Sequence, residues 1–181
     1  MGEMSVTTQP TTADAQPATT VLVCGARTMF DRYDGGDLTD RQRGRILARA
    51  LFAAGVPQQN VREVVHGANR GSPDGWGEAW AVETDTPHRP FKPEWNNIDH
   101  PDAIVREGRY GKYDKRAGIR RNEQMAEYLE AQPGPSLVIA FWDGDSRGTS
   151  HMIDEARSRD IPVEVFRLDR AGEAAAIAGG L

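Results

Sequence analysis

The apolar positions of this chain fall into short runs that alternate with stretches of helical periodicity. Apolar runs at residues 21–25, 61–65, 137–142 and 162–166 have the length and composition of buried strands. Residues 115–131 carry an apolar stripe at helical spacing, and further helices are predicted from Thr39, around Trp76 and Trp80, and over residues 150–159. Strands that alternate with helices in this way indicate an α/β fold with a parallel sheet.

Four segments are less regular. Residues 88–95 predict a short strand that three prolines place at a sheet edge, and residues 171–178 predict a terminal helix. Residues 96–113 are polar, irregular and longer than an ordinary connection, so a lid or an insertion is expected there. Residues 1–20 are rich in Thr, Gln, Ala and Pro and predict a disordered tail without the apolar stretch of a secretory signal. We therefore expect one domain over residues 21–181, an α/β three-layer sandwich with a mostly parallel sheet of about five strands.

Charge and cysteine content narrow the class of protein. The formal net charge of −5 disfavours a globally basic nucleic-acid footprint. A local basic cluster is expected to be a solvated face; it comprises Lys112, Lys115, Arg116, Arg120 and Arg121. No apolar run is long enough to cross a membrane.

The single cysteine, Cys24, lies within an apolar run and is interpreted as a small buried hydrophobe. One cysteine excludes an internal disulfide and is typical of a reducing, cytoplasmic compartment. The four histidines show no metal-ligand spacing, so no metal or cofactor is expected.

Residues 136–150 offer the clearest candidate chemistry. A buried strand runs into a loop that contains Gly144, Ser146, Gly148 and Thr149, and a helix follows. Free amides at the start of a helix favour an anion, and glycines let a ligand approach the backbone closely. The spacing matches neither a Walker A loop nor a GxGxxG fingerprint, so the pattern indicates a phosphate cradle of a general kind.

Two other strands also run into glycine turns, at Gly25 and Gly67. In a parallel sheet these turns share one edge with Gly144, and ligands bind at that edge. Arg27 follows the first turn and is a candidate for a bidentate contact with a phosphate or a carboxylate. The second turn contributes Ala68 to the same candidate crevice.

On the helix of residues 115–131, Asn122 is a polar residue within the buried stripe, and Arg121 borders it. Asn122 either fastens a neighbouring loop or points with Arg121 into the crevice, and both can hold together. Asp74, which follows the second glycine turn, is interpreted first as the N-cap of the helix around Trp76 and second as a ligand-binding residue of the crevice.

Ser146 and Thr149 either contact phosphate or cap their helix. Trp142 and Trp95 either stack on a base or belong to the core. Asp143 and Asp145 are close in sequence, but their spacing does not define an acid–base pair.

Several of these motifs together resemble a known group of proteins. The matching residues occur in order, as Gly25-Ala26-Arg27, His66-Gly67-Ala68, Gly71, Asp74, Trp80-Ala81, Trp95, Ala117-Gly118, Arg121-Asn122, Met125, Phe141-Trp142-Asp143-Gly144, Ser146 and Gly148-Thr149. They resemble the YspA-like branch of the SLOG superfamily, Rossmann-like domains related to the Lonely Guy enzymes and to DprA. The resemblance covers about residues 21–166 and implies that a nucleotide or a nucleotide-derived ligand binds at the glycine-rich edge.

Lonely Guy enzymes hydrolyse the N-glycosidic bond of nucleoside monophosphates with an Arg and a Glu, and Arg121 resembles that Arg. Gly148 and Thr149 fit part of their PGGxGTxxE motif, but Met152 stands where the motif has Glu, and a thioether is neither an acid nor a base. If the chain is nevertheless a hydrolase, the expected catalytic residues are Arg121 with Asp143 or Glu155.

Three hypotheses follow, in this order. The first is a module that binds or senses a nucleotide-like ligand, the second is a nucleoside-monophosphate N-glycoside hydrolase, and the third is single-stranded DNA binding, against which the acidic net charge counts. Exposed apolar helix faces could also pair, so a homodimer is a further open alternative.

Overall fold

The computed structural model describes residues 17–28, 38–168 and 174–176. Within these ranges the strands are β1 Thr19–Gly25, β2 Val61–His66, β3 His88–Pro90, β4 Val105–Gly108, β5 Gly111–Asp114, β6 Ser136–Phe141, β7 Val163–Leu168 and β8 Ala174–Ala176. The helices are α1 Asp40–Ala53, α2 Asp74–Glu83, α3 Ala117–Glu130 and α4 Arg147–Arg157, with a short 3₁₀ turn at Gln58–Asn60.

The main sheet has the strand order β3-β2-β1-β6-β7-β8. The first five strands are parallel, and β8 joins the edge antiparallel to β7. Strand β2 lies on one side of β1, and β6, which comes later in the chain, lies on the other side. This reversal creates a topological switch point at the carboxyl ends of β1 and β6, where Gly25 is level with Phe141.

Helices cover both faces of the sheet, because the central strands are buried on both sides. Val21 and Val23 pack with apolar residues of α1 and α2. Leu22 and Cys24 face the other way and pack with α3 and α4. The predicted α/β fold, a Rossmann-like three-layer sandwich, is thereby confirmed.

A local sequence signal sets the start of α1. Thr39 caps α1 with the predicted capping box, in which the Gln42 amide donates to Thr39 Oγ1 (3.3 Å) and Gln42 Oε1 accepts from the Thr39 amide (2.8 Å).

Cys24 is buried as expected, and burial raises the pKa of its thiol. The charge of Asp74 raises this pKa further, and the charge of Arg121 lowers it. No helix within the described part of the chain combines the length and apolar character needed to span a bilayer.

Three segments differ from expectation. The strand β1 begins at Thr19, so the last two residues assigned to a tail belong to the sheet, where the Thr20 amide donates to the Pro135 carbonyl (2.9 Å). Residues 1–16 lie outside the described residues.

The stretch 96–113, expected to be irregular, contains most of an antiparallel hairpin formed by β4 and β5. Its turn uses Gly111 at φ +109°. Residues 174–176, expected to be helical, form β8 instead, because pairing with the edge of β7 outweighs the helix preference of alanine; the rest of that predicted helix lies outside the described residues.

Candidate functional site

A cleft of about 680 Å³ opens at the switch point, a volume within the range of small-ligand sites. The carboxyl ends of β1 and β2 and the first turns of α3 and α4 surround it. Its lining consists of Cys24, Gly25, Arg27, Gly67, Ala68, Asn69, Asp74, Pro93, Trp95, Lys115, Gly118, Ile119, Arg121, Asn122, Ser146, Gly148, Thr149 and Met152.

The guanidinium of Arg121 is held in this cleft by three groups. Its Nη1 donates to the Gly67 carbonyl at 2.7 Å, and its Nε donates to Asn122 Oδ1 at 3.2 Å. Asp74 Oδ1 lies 4.0 Å from Nη1. Nη2 has no partner among the described residues, and the side chain remains 18% exposed, so the cation is fixed in place yet accessible to a ligand.

Asp74 fastens the second glycine turn. Its Oδ1 accepts from the Gly67 amide (2.6 Å), and its Oδ2 accepts from the Ser72 hydroxyl (2.5 Å). The N-cap of α2 is Pro73, and Asp74 is the first helical residue, so the predicted capping role was wrong. The carboxylate is buried and serves the loop and Arg121 instead.

Asn122 fulfils both interpretations given to it. It is buried on α3, and its Nδ2 donates to the Gly148 carbonyl at 3.0 Å, which ties the start of α4 to α3. It also lines the cleft and orients Arg121.

The first turn of α4 lines the cleft through Ser146, Gly148 and Thr149. Ser146 is the N-cap, and its Oγ accepts from the Thr149 amide at 3.5 Å. A side chain at Gly148 would meet nothing within 4 Å, so the space beside this turn is open. Amides of a first helical turn lack intrahelical acceptors and attract anions.

Two glycines of the cleft are required by close packing. A Cβ at Gly25 would lie 2.4 Å from Pro73 Cγ, and a Cβ at Gly67 would lie 1.8 Å from Arg121 Nη1. Ala68 follows with φ +55° and donates its amide to His66 Nδ1 (3.3 Å). Arg27 also lines the cleft and is exposed.

Four predicted site residues lie outside the cleft lining. Trp142 donates its indole N–H to the Ser146 carbonyl (3.2 Å), and Gly144 turns the chain at φ +92° near Arg167. Glu155 pairs with Arg159.

Asp143 is the fourth, and it organises the loop before α4. It accepts from the amides of Ser146 (2.9 Å) and Asp145 (3.0 Å) and from the Thr28 hydroxyl. Burial raises the pKa of the Asp143 carboxyl, but these hydrogen bonds outweigh burial, so its pKa lies below the usual value. The structure therefore gives Asp143 a role in joining the loops after β1 and β6.

Part of the basic cluster was misjudged as a solvated face. The side chain of Arg120 is only 12% exposed and pairs with Asp102 and Asp114, while Arg116 pairs with Asp102. These pairs anchor residues 102–114 to α3. Asp114 is fully buried and also accepts from the amides of Ile104 and Arg116.

Several lining residues were not assigned to the site from the sequence. They come from the segment before the hairpin and from around the start of α3, and are Pro93, Lys115, Gly118 and Ile119. Trp95, for which the sequence left stacking and core packing open, lies in the same lining. Helical spacing offered a signal for Gly118, which stands three residues before Arg121 and therefore on the same face.

No protein-family model, no curated protein and no solved structure matches the chain. The resemblance to the SLOG superfamily remains an expectation.

Proposed function

We propose that the cleft at the switch point binds a nucleotide or a nucleotide-derived ligand. The observation that carries the proposal is the Arg121 guanidinium, which three protein groups hold beside the open first turn of α4. A fixed guanidinium next to free helix amides is the arrangement that phosphate groups favour.

The charge of the lining supports an anionic ligand. Arg27, Lys115 and Arg121 are cationic, and Asp74 is the one carboxylate within the described lining. Both oxygens of Asp74 already accept hydrogen bonds from the protein. The cations therefore outnumber the carboxylate, and Nη2 of Arg121 remains for a ligand.

The same geometry favours binding over N-glycoside hydrolysis. Asp143 and Glu155, the carboxylates expected to act in a hydrolase, are outside the lining. Met152 lines the cleft at the position where the resembling enzymes carry Glu, and it is buried. We accordingly propose a binding or sensing module, with the SLOG superfamily as its proposed family and the cytoplasm as its proposed location.

Thermal unfolding with a panel of nucleoside mono- and diphosphates, ADP-ribose and nucleotide sugars tests the proposal. At least one of these ligands should raise the Tm of the wild-type protein, and the shift should be lost in Arg121→Ala and reduced in Arg121→Lys. Arg49→Ala is the matched control, because Arg49 is exposed on α1 and does not line the cleft. A folded wild-type protein whose Tm responds to none of these ligands would contradict the proposal.

A further inference from the structure

The indole of Trp95 is half-exposed in the candidate cleft. Its exposed fraction is 46%, whereas Trp76 and Trp80 are almost fully buried at 0% and 3%. Trp142 is partly buried outside the cleft lining and donates its N–H to the Ser146 carbonyl. Trp95 is thus the tryptophan that both lines the cleft and keeps about half of its surface exposed.

The backbone of Trp95 is fixed by hydrogen bonds to Asp114, at the end of β5, and to Pro93. The Asp114 amide donates to the Trp95 carbonyl at 2.8 Å, and the Trp95 amide donates to the Pro93 carbonyl at 3.0 Å. Asp114 is itself buried and paired with Arg120 on α3. The ion pair between Asp114 and Arg120 therefore helps to hold the Trp95 indole at the edge of the cleft.

The indole lies directly against the first turn of α3. A Cβ at Gly118 would be 3.2 Å from Trp95 Cη2, which is tighter than an ordinary contact, so the ring takes this position because residue 118 has no side chain. Arg121 follows three residues later on the same helix face, about 4.5 Å further along the axis at 1.5 Å per residue. Trp95, through its contact with Gly118, and Arg121 therefore line the same cleft along one face of α3.

Resting on the proposed function, we infer that Trp95 is a stacking platform for the flat ring of the ligand. The ring lies at the end of the cleft formed by Trp95, Gly118 and Ile119, and the phosphate lies at the end formed by Arg121 and the first turn of α4. The ligand is accordingly an aromatic anion of the nucleotide class, and a phosphosugar without a base binds more weakly. Stacking on an aromatic side chain tolerates different bases, so Trp95 selects for a base without choosing among bases.

Calorimetric titration separates the two ends of the cleft. The probes are the four ribonucleoside 5′-monophosphates, of which the tightest is carried forward, and ribose 5-phosphate, which keeps the phosphate and lacks the base. The wild-type protein should bind the nucleotide more tightly than ribose 5-phosphate. Trp95→Ala should weaken nucleotide binding by roughly 5- to 150-fold and leave ribose 5-phosphate unchanged.

Matched variants distinguish stacking from a merely structural role. Trp95→Phe keeps a ring and should retain most of the nucleotide affinity, whereas Trp95→Leu keeps apolar bulk and should lose affinity as Trp95→Ala does. Should Trp95→Ala fail to fold, the Phe and Leu variants decide. Gly118→Ala should also weaken nucleotide binding, because its Cβ displaces the indole.

Other outcomes overturn the inference. Equal nucleotide affinity in the wild type and in the Leu variant contradicts stacking, and a parallel loss of ribose 5-phosphate binding shows that Trp95 only supports the cleft. In both cases the proposed function stands, since the wild type still binds the nucleotide and Arg121→Ala still abolishes binding. A wild type that binds neither probe overturns the inference, and the nucleotide proposal falls with it only if no ligand of the thermal-unfolding panel raises the Tm.

Discussion

The guanidinium of Arg121 occupies the space that a side chain at Gly67 would fill. Nη1 of Arg121 donates to the Gly67 carbonyl at 2.7 Å, and a Cβ on Gly67 would stand 1.8 Å from that nitrogen and 2.5 Å from Cζ. A glycine after β2 and an arginine on α3 are therefore one structural unit, although 54 positions separate them in the chain.

Gly67→Ala is expected to push this guanidinium out of place. The new methyl group also lies 2.5 Å from Asp74 Oδ1, so both members of the ion pair must move, and overpacking of this kind costs about 1–3 kcal/mol of unfolding free energy. Urea denaturation should show that loss, and the nucleotide-dependent rise in Tm should disappear.

Gly71→Ala is the control for this substitution. Its Cβ would meet only Asn69 Oδ1, at an ordinary 3.6 Å, within the same loop. Gly71→Ala should keep the stability and the ligand response of the wild type. If Gly67→Ala keeps both as well, the close fit between Gly67 and Arg121 has no energetic consequence.

Asp74→Ala should be among the more destabilising single changes around the cleft. It leaves the Gly67 amide and the Ser72 hydroxyl without their acceptor and removes the carboxylate beside Arg121. Hydrogen bonds to a charged group contribute about 1.5–3 kcal/mol each, and a loss of at least about 2 kcal/mol is expected by urea denaturation. Asp154→Ala, an exposed change on α4, should alter the unfolding free energy by less than about 0.5 kcal/mol. Similar effects of the two substitutions would show that Asp74 does not secure the loop.

The sheet could be predicted from the sequence because its central strands are buried on both faces. Such strands are continuous apolar runs, as in β1 and β6, and need no alternation to be seen. Arg121 and Asn122 were found by helical spacing on α3, where a buried Asn stands out among apolar neighbours. These signals are local, and each depends on one element alone.

The hairpin and the role of Asp74 depend on contacts between distant parts of the chain. Strand β4 is exposed along its length, so no apolar alternation marks it, and the segment is held by the pairing of Asp114 with Arg120. Asp74 stands where a cap is expected, yet its partner is the Gly67 amide of the preceding turn. Trp95 is held at the cleft by a hydrogen bond to Asp114, at the end of the same hairpin. Sequence spacing does not reveal this contact, so spacing alone could not choose between Trp95 and Trp142.

His66 should make the stability of the fold depend on pH. Burial lowers the pKa of its imidazole below the ordinary 6.5; His88 and Arg121 also lower it, and Asp74 and Glu78 act in the opposite direction. The neutral ring accepts the Ala68 amide at Nδ1, and its Nε2 lies 3.1 Å from His88 Nδ1. Because the folded-state pKa is the lower one, the unfolded chain binds the proton more readily. The stability contribution is complete above pH 6.5 and is lost as the pH falls towards the folded-state pKa.

Urea denaturation between pH 7.5 and pH 5 measures this loss. His66→Asn removes the titrating ring and keeps an acceptor for the Ala68 amide, so its unfolding free energy should fall less over this range than that of the wild type. An equal pH dependence in the His66 variant and the wild type would refute the assignment to His66.

Cys24 should be almost unreactive in the folded protein although it borders the cleft. Burial raises the pKa of its thiol, the Asp74 carboxylate raises it further, and Arg121 opposes both. The thiolate is the reactive form, so modification requires the structure to open.

As this is the single cysteine of the chain, labelling with a thiol reagent at pH 8 reports on Cys24 alone. We expect labelling on the order of 100-fold slower in buffer than in denaturant. The double variant Cys24→Ala with Ser158→Cys places a thiol on an exposed position and should react at similar rates in both conditions. Rapid labelling of native Cys24 would show that its thiol is accessible to solvent in the folded protein, which contradicts the burial of Cys24 in β1.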